Sequence, residues 1–129
     1  MMKFKTGFLI VFTFFLFNSK ATMAQNSVEG VWLTHYKEAK VKIFQYKGKV
    51  YGKIVWLQKP YDVNGNEMRD KNNPNTQLRN RKLMHLTVLK NFTFENGKWV
   101  SGALYDPTDG GTYKCKLWLE NKNTLKVRG

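Results

Sequence analysis

The residues of this chain best suited to chemistry are its aspartates. Asp106 and Asp109 stand three apart in Asp106-Pro107-Thr108-Asp109-Gly110-Gly111, and Asp62 and Asp70 lie in a polar segment upstream. Carboxylates can divide acid and base duties when their surroundings push their pKa values apart. Asp62, Asp70 and Asp106 brought together would suit hydrolysis of an envelope component. The same stretch has a simpler reading as a turn: aspartate caps backbone N–H groups, proline fixes φ, and glycine permits positive φ. It supplies no histidine or glutamate partner, so the turn reading is preferred.

Other reactive types are isolated. Cys115 is the single cysteine and falls on the apolar side of its segment, where a thiol behaves as a small buried hydrophobe. His35 and His85 have no second histidine or cysteine at ligand spacing. Asp62-Val63-Asn64-Gly65-Asn66-Glu67 resembles a calcium loop at first sight, yet its glycine stands fourth rather than sixth and the distal glutamate is missing. No metal and no cofactor is expected. A nucleophile elbow, a phosphate loop and a dinucleotide-binding glycine pattern are all missing.

The elements that must position these residues have a period of two. In Lys40-Val41-Lys42-Ile43-Phe44 the lysines share one side and Val41 and Ile43 the other; in Thr112 to Glu120, Tyr113, Cys115, Leu117 and Leu119 oppose Lys114 and Lys116. Both predict half-buried strands. Val50 to Leu57, Leu83 to Phe94, Lys98 to Tyr105 and Thr124 to Val127 are similar, and Lys47-Gly48, Asn96-Gly97, Asp106 to Gly111 and Asn121-Lys122-Asn123 supply the turns. The pattern predicts an all-β antiparallel meander that closes into a small barrel, which removes exposed edges. Gln58 to Arg81 is the long irregular segment, a candidate lid or plug across one barrel end. Within it Asn73-Pro74 predicts a helix start, with Asn73 as cap and one turn over Thr76 to Asn80.

The first 24 residues read as a secretory signal peptide: Lys3 and Lys5, the apolar run Gly7 to Phe17, then Ala21-Thr22-Met23-Ala24. That apolar run, about 11 residues, is well short of the roughly 20 that span a bilayer. Residues 25–129 then form one β-barrel domain, exported to the periplasm or the exterior. Losing Lys3, Lys5 and Lys20 leaves 19 basic and 9 acidic side chains, or +10. Such a charge implies weak attraction to anionic surfaces. The lysines are scattered on outward positions, and no specific nucleic acid is expected as a partner.

Gly30-Val31-Trp32-Leu33-Thr34, Lys49 to Leu57, Asp70-Lys71-Asn72-Asn73-Pro74, Trp99 to Pro107 and Leu125 to Gly129 resemble, in order, the bacterial exported proteins grouped as domain of unknown function 2147. The resemblance implies a lipocalin-like barrel, and Gly30-x-Trp32 is also similar to the opening of lipocalins. It implies glycine at position 85, where this chain has histidine. It also implies a further strand after Gly129, so the barrel is expected to lack its last strand, with open edges near Val127 and Trp32 that favour edge-to-edge self-association.

Two functions fit. The preferred one is a binding module whose interior takes a small hydrophobic or amphipathic molecule, lined by Trp32, Ile43, Ile54, Trp56, Tyr105, Tyr113 and Leu117, with Asp62, Asp70, Asn73 and Asp106 as loop contacts. A filled, purely structural barrel is its plainer form. The alternative is the hydrolase that uses the loop carboxylates.

Overall fold

The computed structural model describes residues 9–14 and 27–129. The strands in chain order are β1 (Leu9–Phe14), β2 (Gly30–Leu33), β3 (Ala39–Tyr46), β4 (Lys49–Leu57), β5 (Thr87–Glu95), β6 (Lys98–Asp106), β7 (Gly111–Asn121) and β8 (Thr124–Arg128). From β2 to β8 each strand pairs antiparallel with the next, so the seven form the expected meander curled into a nearly closed barrel. Its seam lies between β2 and β8. Strand β1 lies across that seam, pairing Ile10 with Val127 and Phe14 with Trp32. The remainder of the expected leader, residues 1–8 and 15–24, lies outside the described residues.

The turns have the chemistry their residues dictate. Lys47-Gly48 and Asn96-Gly97 both place two successive residues at positive φ, the backbone of a two-residue hairpin turn. Alternation then sends Val41, Ile43, Val50, Ile54, Leu104, Leu117, Leu125 and Val127 inward, each at most 1% exposed. Trp32 fills one side of this core and donates its indole N–H to the Val28 carbonyl at 2.9 Å. Phe92 fills another by lying over Gly102, where a Cβ would stand 2.3 Å from the ring. Burying a side chain of that size stabilises by about 2–3 kcal/mol.

The ladder is interrupted where β-bulges bend it. Between Val50↔Phe92 and Gly52↔Leu89, strand β5 spends three steps against two of β4, and Asn91 takes φ 64°. Between Trp99↔Leu117 and Gly102↔Cys115 strand β6 does the same against β7, with Ser101 at φ 61°. A third irregularity sets Lys40 opposite Trp56 and Val41 opposite Ile54, which leaves Val55 as the extra residue.

Consecutive strands alternate in direction, so the β2–β3, β4–β5 and β6–β7 connections share one end of the barrel. The long β4–β5 connection is a strap across that end. It leaves from the Gln58 N–H on the Glu38 carbonyl (2.9 Å) and returns through the His85 N–H on the Ile54 carbonyl (2.8 Å). Between these ties the chain doubles back on itself through bridges at Tyr61↔Glu67 and Arg69↔Lys82. Its one helical turn, the 3₁₀ segment Thr76–Leu78, is capped by Asn75 rather than Asn73. Asn73 is otherwise engaged: its Oδ1 accepts from the Asn75 N–H at 2.8 Å and its amide donates to Asp70.

Candidate functional site at the loop end of the barrel

The strap is held by one buried carboxylate. Asp70 is 0% exposed. Its Oδ1 accepts from the Tyr105 hydroxyl at 2.5 Å, and its Oδ2 accepts from Arg81 Nε at 2.9 Å and Asn73 Nδ2 at 2.8 Å. Its own N–H donates to the Arg81 carbonyl at 2.9 Å, which closes the strap on itself. The Arg81 guanidinium carbon sits 5.7 Å from the centre of the Tyr105 ring. Burial, then the bond to Asp70, pushes the Tyr105 hydroxyl up to about 12, so it stays a donor at any physiological pH. Both Asp70 oxygens are hydrogen-bonded. The cluster anchors the strap to the end of β6.

The strap also seats on the β6–β7 turn. Asn72 Nδ2 donates to the carbonyls of Pro107 (3.0 Å) and Thr108 (3.1 Å). Gly110 has φ +74°, and a Cβ there would meet the Asn72 carbonyl oxygen at 2.0 Å. The glycine is therefore required twice, by its backbone angle and by the chain lying on it. Within the turn Asp109 Oδ1 accepts from the Gly111 N–H at 2.7 Å and Oδ2 from the Tyr113 hydroxyl at 2.6 Å. These bonds are the turn chemistry expected of Asp106 to Gly111.

Asp106 differs from its neighbours. It alternates with Tyr105 on β6 and so shares the inward side with Leu104; both are 0% exposed. Its Oδ1 accepts from the Thr108 N–H at 2.9 Å and hydroxyl at 2.6 Å. Its Oδ2 is buried and has no partner, the one such side-chain atom among the described residues. Burial raises the Asp106 carboxyl above the usual carboxylate range, the Thr108 bonds pull it part of the way back, and Asp109 nearby adds to the rise. Close to this end, a crevice of about 150 Å³ opens between the strap and the strand ends, lined by Glu38, Leu57, Gln58, Lys59, Met68 and Leu83.

Of the expected lining residues, Trp32, Ile43, Ile54 and Leu117 are inside. Trp56 is not: it is 38% exposed on the outer face with Lys40 Nζ 5.1 Å from its ring. The extra residue Val55 inverts the alternation after Ile54, which reverses the expected direction. Tyr105 points away from the interior to Asp70, and Tyr113 packs half-buried at the loop end against the core. The loop carboxylates do not converge. Asp62 sits in an exposed turn and accepts from its own Asn64 and Asn66 N–H groups at 2.8 and 3.0 Å, Asp70 is fully bonded on Tyr105's side of β6, and Asp106 faces the other side. Cys115 is buried, and burial pushes its thiol up to about 12, which makes it inert. His35 and His85 are exposed. The orphaned Asp106 oxygen was not foreseeable from the turn sequence, although an aspartate in phase with inward Gly102 and Leu104 is the signal that could have found it.

The barrel has a counterpart among solved structures. A structure described as protein HP1028 from the human pathogen Helicobacter pylori, belonging to the lipocalin family, is similar with a TM-score of 0.55 and 19% identity, covering 98% of this chain and 83% of that one. No curated protein matches the chain. Residues 30–129 match the family model of uncharacterized proteins conserved in bacteria, DUF2147. That match takes in the whole meander, the strap and both buried aspartates, and the chain accordingly belongs to the DUF2147 family.

Proposed function

We propose that this protein is an exported barrel that binds a small amphipathic molecule at its loop end, with the polar head of that molecule donating a hydrogen bond to Asp106 Oδ2. The single observation that carries the reading is that oxygen, buried on the Leu104 side of β6 without a partner. A buried acceptor left unbonded costs about 1–3 kcal/mol, and a hydroxyl or amine head would recover it. The lipocalin-like barrel supports the class of ligand, since such barrels can hold one small molecule at an open end. Phe92 over Gly102 fills the middle of the barrel, so the apolar tail belongs higher, in the Leu57, Met68 and Leu83 crevice. Export follows from the leader reading of the first 24 residues.

Native mass spectrometry of protein purified from cells, with titration of tryptophan emission by decanol, decylamine and decanoate, tests this. The alcohol and the amine are expected to bind saturably and more tightly than decanoate. Asp106→Asn, which presents an amide N–H where Oδ2 stood, is expected to weaken the alcohol and amine about tenfold. An apo mass with no saturable response, or equal binding by the variant, would overturn the reading.

A further inference from the structure

The β3–β4 hairpin carries a surface that neither the strap nor the barrel interior explains. From Ala39 to Leu57 the sequence has Lys40, Lys42, Lys47, Lys49 and Lys53 and no acidic residue. The register sets these lysines in rows with aromatic residues on the outer face: Lys40 opposite Trp56, Lys42 opposite Lys53, Phe44 opposite Tyr51 and Tyr46 opposite Lys49. Tyr46 is 56% exposed and Trp56 38%. The other lysine-rich outer face, on β6 to β8, is different, because its Lys126 is neutralised by Glu120 at 3.0 Å.

The aromatic rings on the hairpin pack against one another and against lysines. Phe44 stacks on Tyr51 at 5.9 Å, Tyr46 meets Tyr51 edge-on at 6.4 Å, and Lys47 and Lys53 lie 5.2 and 5.8 Å from the centres of the Tyr46 and Phe44 rings. A nucleic-acid base stacking on Trp56 or Tyr46 would share the ring with the ammonium of Lys40 at 5.1 Å or Lys47 at 5.2 Å. Tyrosine, tryptophan and lysine stems have another common setting: their apolar bodies enter the headgroup layer of a membrane while hydroxyl, indole N–H and ammonium groups stay among water and phosphates.

We propose that the outer face of the β3–β4 hairpin docks the protein onto an anionic phospholipid surface, with Lys42, Lys49 and Lys53 facing headgroup phosphates and Tyr46 and Trp56 at the interface. The proposal is independent of the ligand at the loop end. Each lysine near an anionic bilayer is worth roughly a factor of five in partitioning, so removing three should weaken binding on the order of 100-fold.

The test is cosedimentation of the protein, purified as cells accumulate it, with vesicles of phosphatidylglycerol and phosphatidylcholine at 3:7, and with phosphatidylcholine alone. The hairpin variant Lys42→Gln/Lys49→Gln/Lys53→Gln is compared with Lys114→Gln/Lys116→Gln/Lys122→Gln, which removes the same charge from exposed positions on the opposite side. The expected result is binding to the anionic vesicles only, with the hairpin variant at least ten times weaker than the control variant. Equal losses in both variants would reduce the effect to net charge and overturn the docking face. So would unchanged binding by the hairpin variant, or tighter binding of the unaltered protein to a single-stranded oligonucleotide than to the vesicles.

Discussion

Two aspartates, Asp70 and Asp106, are both wholly buried, and they sit on opposite sides of the end of β6. Asp70 meets three side chains drawn from the strap and from Tyr105, while Asp106 meets only Thr108, two residues away. The first arrangement spends every bond on holding a loop to a barrel. The second leaves an oxygen over. Burial alone is therefore a poor guide to function, because what separates an anchor from a contact point is whether the buried acceptor is already satisfied.

The comparison can be broken most sharply at Asp70. Asp70→Ala leaves the Tyr105 hydroxyl and the Asn73 amide without their acceptor, and Arg81 without its counter-ion. Because the Arg81 side chain is 35% exposed, water takes over part of that last loss. The expected destabilisation is about 3 kcal/mol, read from urea denaturation, with faster amide exchange in the strap. A loss under about 1 kcal/mol, the ordinary worth of a single hydrogen bond, would erase the distinction.

Gly110→Ala comes next. The substitution forces an L residue to φ +74° and drives its Cβ into the Asn72 carbonyl, so the strap must lift from the β6–β7 turn. A loss of about 2 kcal/mol is expected. Asp109→Asn in the same turn keeps the acceptor for the Gly111 N–H and should change the melting temperature little. If both variants melt like the unaltered protein, the strap is not seated there.

The smallest effect sharpens the other side of the comparison. The Asp106 carboxyl is raised above its ordinary value of 3.8 in the fold. Between that value and the raised one, the folded state holds a proton that the unfolded state has released. Stability therefore falls as pH climbs through that window and is undiminished below it. Asp106→Asn abolishes this dependence, so its melting temperature should exceed that of the unaltered protein at pH 7, and the advantage should shrink toward pH 4. A constant difference across pH would mean that the carboxylate is not poorly solvated.

Much of this was legible in the residues. Alternation in Lys40 to Phe44 and in Thr112 to Glu120 placed strands and their faces, and Lys47-Gly48 and Asn96-Gly97 named turns whose observed backbone angles match. His85 takes φ 70°, a conformation that glycine adopts freely and that nothing in its neighbouring residues announced. The direction of Trp56 was misread, because alternation counts residues along an unbroken ladder and Val55 inserts one more. The cap at Asn73 was misread too, because a local rule could not see that its amide was committed to Asp70.

Local chemistry, which acts over a few residues and repeats, is what the sequence determined by itself: period-two strands, turn types, an all-β meander and an inert buried cysteine. Tertiary structure alone decided which buried polar groups would find partners. Asp70 and Tyr105 are 35 residues apart in the chain, and they meet only because the strap folds back over the end of a curled sheet. The same closure carried Asp106 inward beside Leu104, out of reach of Asn73 and Arg81. No spacing rule could foretell either outcome, because hydrogen-bond satisfaction depends on what the closed barrel brings within about 3 Å.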